Sequence, residues 1–139
     1  QEGYLRVQSK KKQKAQVSQP EIFYASDGTQ IEVGKNNLQN ERLSMKTANK
    51  SDIWMHTKDI PGSHVIIHSS EPSEQTLTEG AQLAAYFSKA RDSANVPVDY
   101  LPVRRLRKPN GLKPGFVIFE GQTTMTVTPS YTTVQKLRK

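Results

Sequence analysis

The sequence predicts an α+β domain: a single, mostly antiparallel sheet with two helices packed on it. Three observations carry this. Short apolar segments bounded by Gly, Pro, Asn and Asp recur from Ile22 onward. One stretch, residues 74–93, spaces its apolar residues as a helix does. The links between the last segments are too short for the crossovers that parallel strands require. A length of 139 residues suits one domain.

Taken in order, residues 1–19 read as a basic leader or linker, because Lys10, Lys11, Lys12 and Lys14 sit among Gln and Ser with few apolar residues. Gln1 in place of Met reads as the start of a fragment or a processed piece, and no secretory signal pattern is visible. The folded domain is expected over 20–139. Ile22–Ala25 and Ile31–Val33 read as strands joined by Ser26-Asp27-Gly28-Thr29, where Asp-Gly is a strong hairpin signal that requires φ > 0 at Gly28. Asn36 or Asn37 caps a helix running to about Ala48. Asp52–His56 and His64–His68 are strands around the turn Pro61-Gly62-Ser63. For the helix 74–93, Leu77, Gly80, Ala81, Leu83, Ala84, Ala85, Phe87, Ala90 and Ala94 fill one arc. Arg91 projects into that arc and is expected to be partly buried against a carboxylate or a backbone carbonyl. Val96–Arg105 reads as a strand, placed at a sheet edge by Pro97 and Pro102. Phe116–Phe119 and Thr123–Thr128 read as a hairpin across Glu120-Gly121-Gln122.

The net charge is +7, from 20 Lys+Arg against 13 Asp+Glu. It gathers in two blocks, the leader and a loop where Arg104, Arg105, Arg107, Lys108 and Lys113 crowd together. An excess of this sign favours polyanionic partners: nucleic acid, anionic lipid or an acidic protein surface. Pro109, Gly111, Pro114 and Gly115 restrain the loop, which presents charge and backbone N–H groups to phosphates. Trp54, the single tryptophan, shares a strand face with Asp52 and His56, opposite Ile53 and Met55. It reads as a core anchor or, with His56, as a stacking platform for a base.

Catalytic patterns are wanting. The chain has no cysteine, which excludes disulfides and thiol chemistry. Gly28 to Lys35 has the wrong glycine spacing for a phosphate loop, and Asn36 stands where a magnesium-binding hydroxyl belongs. Ser63 and His64 are strand neighbours that point to opposite faces. His56, His64 and His68, with Asp52, match no standard metal-ligand spacing. No metal, cofactor or catalytic residue is expected. No apolar run approaches the ~20 residues of a membrane helix, so membrane insertion is not expected either.

Several motifs in register resemble one family. They are Gly34-Lys35-Asn36-Asn37-Leu38-Gln39-Asn40, Asp52-Ile53-Trp54-Met55-His56, Pro61-Gly62-Ser63-His64-Val65, Ala84-Ala85-Tyr86-Phe87-Ser88-Lys89-Ala90-Arg91, Val96-Pro97-Val98-Asp99-Tyr100 and Arg107-Lys108-Pro109-Asn110-Gly111-Leu112-Lys113-Pro114-Gly115. Over residues 20–129 the chain resembles the NFACT-R domain, a C-terminal module of larger proteins. Asn110 and Leu112 depart from the Lys and Ala common in the family's loop. The resemblance implies a non-catalytic, cytoplasmic module of ribosome-associated quality control whose partners are tRNA and the large ribosomal subunit. Members from Gram-positive cocci imply a second role, binding host fibronectin after display on the cell surface without a signal peptide. The positions assigned to nucleic acid are Lys35, Asn36, Asn37, Asn40, Trp54, His56 and Arg91 from the motifs, and Arg104, Arg105, Arg107, Lys108 and Lys113 from the loop.

Overall fold

The computed structural model describes residues 19–138, so most of the expected leader lies outside the described residues. Strand β1 (Glu21–Tyr24) turns at Asp27-Gly28 into β2 (Gln30–Val33). The turn is the expected hairpin: Ala25 N–H donates to Thr29 O, and Gly28 has φ +92°. Helix α1 (Asn37–Arg42) is capped by Asn36, whose side chain accepts from Gln39 N–H. It runs on into a π-helical turn, Leu43–Thr47, before β3 (Ile53–Thr57) and β4 (Val65–Ile67). Helix α2 (Glu74–Tyr86) leads to β5 (Val96–Pro102), a 3-10 turn (Val103–Arg105), β6 (Thr123–Val127) and α3 (Tyr131–Leu137).

All six strands join one antiparallel sheet in the order β1-β2-β4-β3-β5-β6. Its two faces are buried by different means. On one face α2 and α3 cover Met55, Val65, Ile67, Val96, Val98 and Val127. The small side chains of Ala81, Ala84 and Ala85 let α2 lie close to the strands, and a Cβ at Gly80 would sit 2.7 Å from Met55 Sδ. The opposite face is covered by the π turn, the 3-10 turn and the segment after it: Leu43, Trp54, Ile66, Leu101, Val103 and Leu106 form this second core, with Val117 and Phe119 packed on it.

Four expectations are corrected. The long helix stops at Tyr86 instead of residue 93, because the next residues bond elsewhere: Ser63 N–H donates to Phe87 O, Lys89 N–H to Pro61 O, and Ser88 bridges Gly62. Strand β5 is interior, between β3 and β6. Its prolines are tolerated because Pro97 lies beyond the last paired residue of β3 and Pro102 beyond the first of β6, where no ladder partner needs an N–H. The same strand ends at Pro102, and Val103–Arg105 turn as a 3-10 segment. Phe116–Phe119 does not pair with β6. It returns along Arg107 through an Arg107–Ile118 bridge, while β6 pairs with β5. The division of side chains explains this: Val117 and Phe119 serve the second core, whereas Met125 and Val127 serve the α2 face. A third helix, α3, was not expected. Its Val134 and Leu137 complete the α2 face.

Candidate nucleic-acid interface

Strand β3 sets the site. Its alternation sends Ile53 and Met55 under α2 and leaves Trp54 and His56 on the opposite face. His64, just before β4, lies across from them. The Trp54 ring lies 5.8 Å from His56 at an interplanar angle of 11°, 5.3 Å edge-on from His64, and 4.9 Å from Phe119. The four rings make an aromatic wall. Trp54 is 1% exposed, so it is a core anchor and not an open stacking platform. The returning limb of the basic loop covers it, through Phe119.

Helix α1 holds the other side. Asn36 is occupied as its cap. Asn40 is buried, its Oδ1 accepting from His64 N–H at 3.0 Å, and Gly34 leaves the room Asn40 needs. Asn37 is exposed. Glu41 reaches the basic loop, accepting from Gly115 N–H at 3.0 Å and pairing with Lys108 Nζ at 3.1 Å. Lys108 also donates to the carbonyls of Lys113 and Phe116. Lys108 is thus a brace inside the loop, not a free cation. Desolvation raises the Glu41 pKa, but the Gly115 N–H and Lys108 outweigh it and hold the carboxyl below its ordinary value.

Between wall and loop lies a cavity of about 480 Å³, lined by Asn37, Asn40, Trp54, His56, His64, Asp99 and the Gly115–Phe119 limb among others. The histidines there are neutral at physiological pH. Burial lowers the His64 pKa to about 3, with the neighbouring His56 adding to the effect. Desolvation also lowers His56, against opposing hydrogen bonds to the Thr57 and Gly62 backbone and the Asp99 charge. Ser44 Oγ fixes His64 Nδ1 at 2.7 Å. His68 stands apart, bonded by Asp52 at 2.8 Å and Glu32 at 2.6 Å.

Arg104, Arg105, Arg107 and Lys113 are exposed on the loop, with Arg105 Nη1 donating to Gly121 O at 3.4 Å. Lys35 and Arg91 belong to a different group. Lys35 pairs with Glu21 at 2.7 Å and lies 4.8 Å over Phe87. Arg91 donates to Tyr86 O at 2.9 Å and lies 4.3 Å over the Tyr86 ring. Arg91 has the carbonyl partner expected, but it is exposed instead of partly buried. The structure therefore gathers Asn37, Asn40, Trp54, His56 and the loop, and leaves Lys35 and Arg91 beside Tyr86 and Phe87. Sequence reasoning missed Phe116, Phe119 and Glu41 as parts of the site. Aromatic residues just after a basic, turn-rich loop were the available signal for the first two.

The family model described as the NFACT protein RNA binding domain matches residues 19–121. The protein named Rqc2 homolog RqcH from Bacillus subtilis is 55% identical over 98% of the chain, and the Streptococcus suis protein of the same name is 49% identical over 98%. The chain spans about a quarter of the length of these relatives, 24% and 25%. The solved C-terminal part of the fibronectin/fibrinogen-binding protein from Streptococcus suis superposes with a TM-score of 0.89 at 48% identity, covering 92% of this chain and 52% of that one. This chain belongs to the NFACT RNA-binding domain family.

Proposed function

We propose that this chain is a non-catalytic module of a longer cytoplasmic protein that contacts tRNA and the large ribosomal subunit during ribosome-associated quality control. The carrying observation is the loop. Four exposed cations, Arg104, Arg105, Arg107 and Lys113, stand on a segment tied to α1 through Glu41 and Lys108 beside an aromatic cavity. Exposed cations on a braced scaffold suit phosphates, which position RNA without reading its sequence. The family and the RqcH relatives support the RNA reading. A second reading, fibronectin binding, is favoured only by the similarity to the streptococcal fibronectin/fibrinogen-binding protein.

The test is binding of this chain to tRNA and, separately, to fibronectin. The variant Arg104→Glu with Arg107→Glu should lose most of its tRNA affinity at low salt and keep its circular dichroism spectrum. Unchanged tRNA affinity rejects the loop as the RNA face. Loss of fibronectin binding alone moves the assignment to adhesion.

A further inference from the structure

The basic loop accounts for phosphate contact but leaves the cavity beside it unexplained. The cavity is large for a structural void, and about 480 Å³ lies within the range of small-molecule sites. Its walls are rings: Trp54, His56, His64, Phe116 and Phe119. Both histidines are held neutral by burial, and the other titratable groups of the lining, Asp59 and Asp99, are carboxylates, so the walls carry no charge that would favour an anion inside. Phe116, 54% exposed, leaves more than half of a large apolar residue in solvent. Trp54 lines the cavity, and its Nε1–H is the one buried side-chain polar atom without a hydrogen-bond partner among the described residues. A buried unsatisfied donor costs roughly 1–3 kcal/mol, so such an exception calls for an explanation, and a bound group is one. Asn37, Asn40 and Asp99 supply polar groups on the same lining. The outside is cationic: Arg107 bridges Ile118, between the lining residues Val117 and Phe119. Neutral aromatic walls inside a cationic rim complement a neutral ring carried on an anionic backbone.

We propose that this cavity receives one unstacked base of a single-stranded RNA segment, whose flanking phosphates lie on Arg104, Arg107 and Lys113. The inference rests on the RNA reading and deepens it. Trp54 is the wall of a receptor rather than a surface platform. The Phe116 ring closes over the inserted base, and the polar lining meets its hydrogen-bonding edge. Single-stranded RNA is recognised in this manner elsewhere, by splaying a base out against aromatic side chains.

Because Trp54 is the single tryptophan, its emission reports the cavity directly. The probes are single-stranded eight-nucleotide RNAs of one base each, and a strand of equal length with abasic riboses. Intact strands should quench Trp54 and bind several-fold tighter than the abasic strand. Phe116→Ala removes an exposed ring and should fold normally. It should weaken the intact strands by about 5- to 100-fold, as loss of one stacked base implies, while leaving abasic binding and the salt slope unchanged. The variant Trp54→Phe keeps a ring and deletes the Nε1 donor, and should weaken intact RNA but not the abasic strand. Equal affinity for intact and abasic strands, with Trp54 emission unmoved, overturns base insertion while leaving phosphate binding standing. No binding of any strand at low salt overturns both.

Discussion

Gly28 is the residue on which the first hairpin turns. Its φ of +92° is one that L-residues avoid, yet a Cβ there would meet nothing within 4 Å. Gly28→Ala should therefore cost roughly 1–2 kcal/mol from backbone strain alone, read as a lower urea midpoint with an unchanged m-value. His64 gives a pH prediction. Its pKa falls from an ordinary 6.5 to about 3 in the folded chain, so the unfolded chain binds more protons between those values. Stability is full above pH 6.5 and declines as pH falls toward 3, by roughly 2 kcal/mol between pH 7 and pH 5 from this group. His56 adds in the same direction. Urea midpoints across that interval should fall less steeply in His64→Gln than in the wild type. Equal pH dependence would show that His64 is not the group responsible. The face on which Trp54 lies was legible from strand alternation; the choice between core anchor and open platform was not, because that depends on Phe119 arriving from a distant loop.

At the scale of elements, α1 anchors the basic loop. Glu41 joins Gly115 and Lys108, and Lys108 joins the two limbs of the loop. Glu41→Gln and Lys108→Met should each loosen the loop and be less than additive together. A double-mutant cycle is expected to return a coupling of about 0.5–1 kcal/mol, since the pair is partly solvated. Strict additivity would mean the ion pair contributes nothing to the brace. Turn chemistry and alternation revealed β1 through β4 and the start of α2 in the sequence. The end of α2 was hidden because it is decided by Pro61–Ser63 competing for its backbone groups. The partner of β6 was hidden for a related reason: a three-residue link fits a local hairpin, and only the allocation of Phe119 and Met125 to opposite faces selects β5.

For the whole molecule, one sheet divides the work. The α2 and α3 face is a conventional core, and the opposite face carries the rings, the cavity and the cations. The location of the basic loop was legible as a charge cluster. That Lys108 is spent internally, and that Lys35 and Arg91 stand against Phe87 and Tyr86, required three dimensions. We propose that RNA phosphates meet the loop face and not the Lys35–Arg91 group. The most direct measurement is the slope of log affinity for tRNA against log salt for two folded double variants, Arg104→Gln with Arg107→Gln and Lys35→Gln with Arg91→Gln. Each lost phosphate contact flattens the slope by about 0.7–0.9. The loop variant should show this for both positions, and the Lys35–Arg91 variant should keep the wild-type slope. A wild-type slope in the loop variant, with flattening in the other, would place the phosphates on the Lys35–Arg91 group instead.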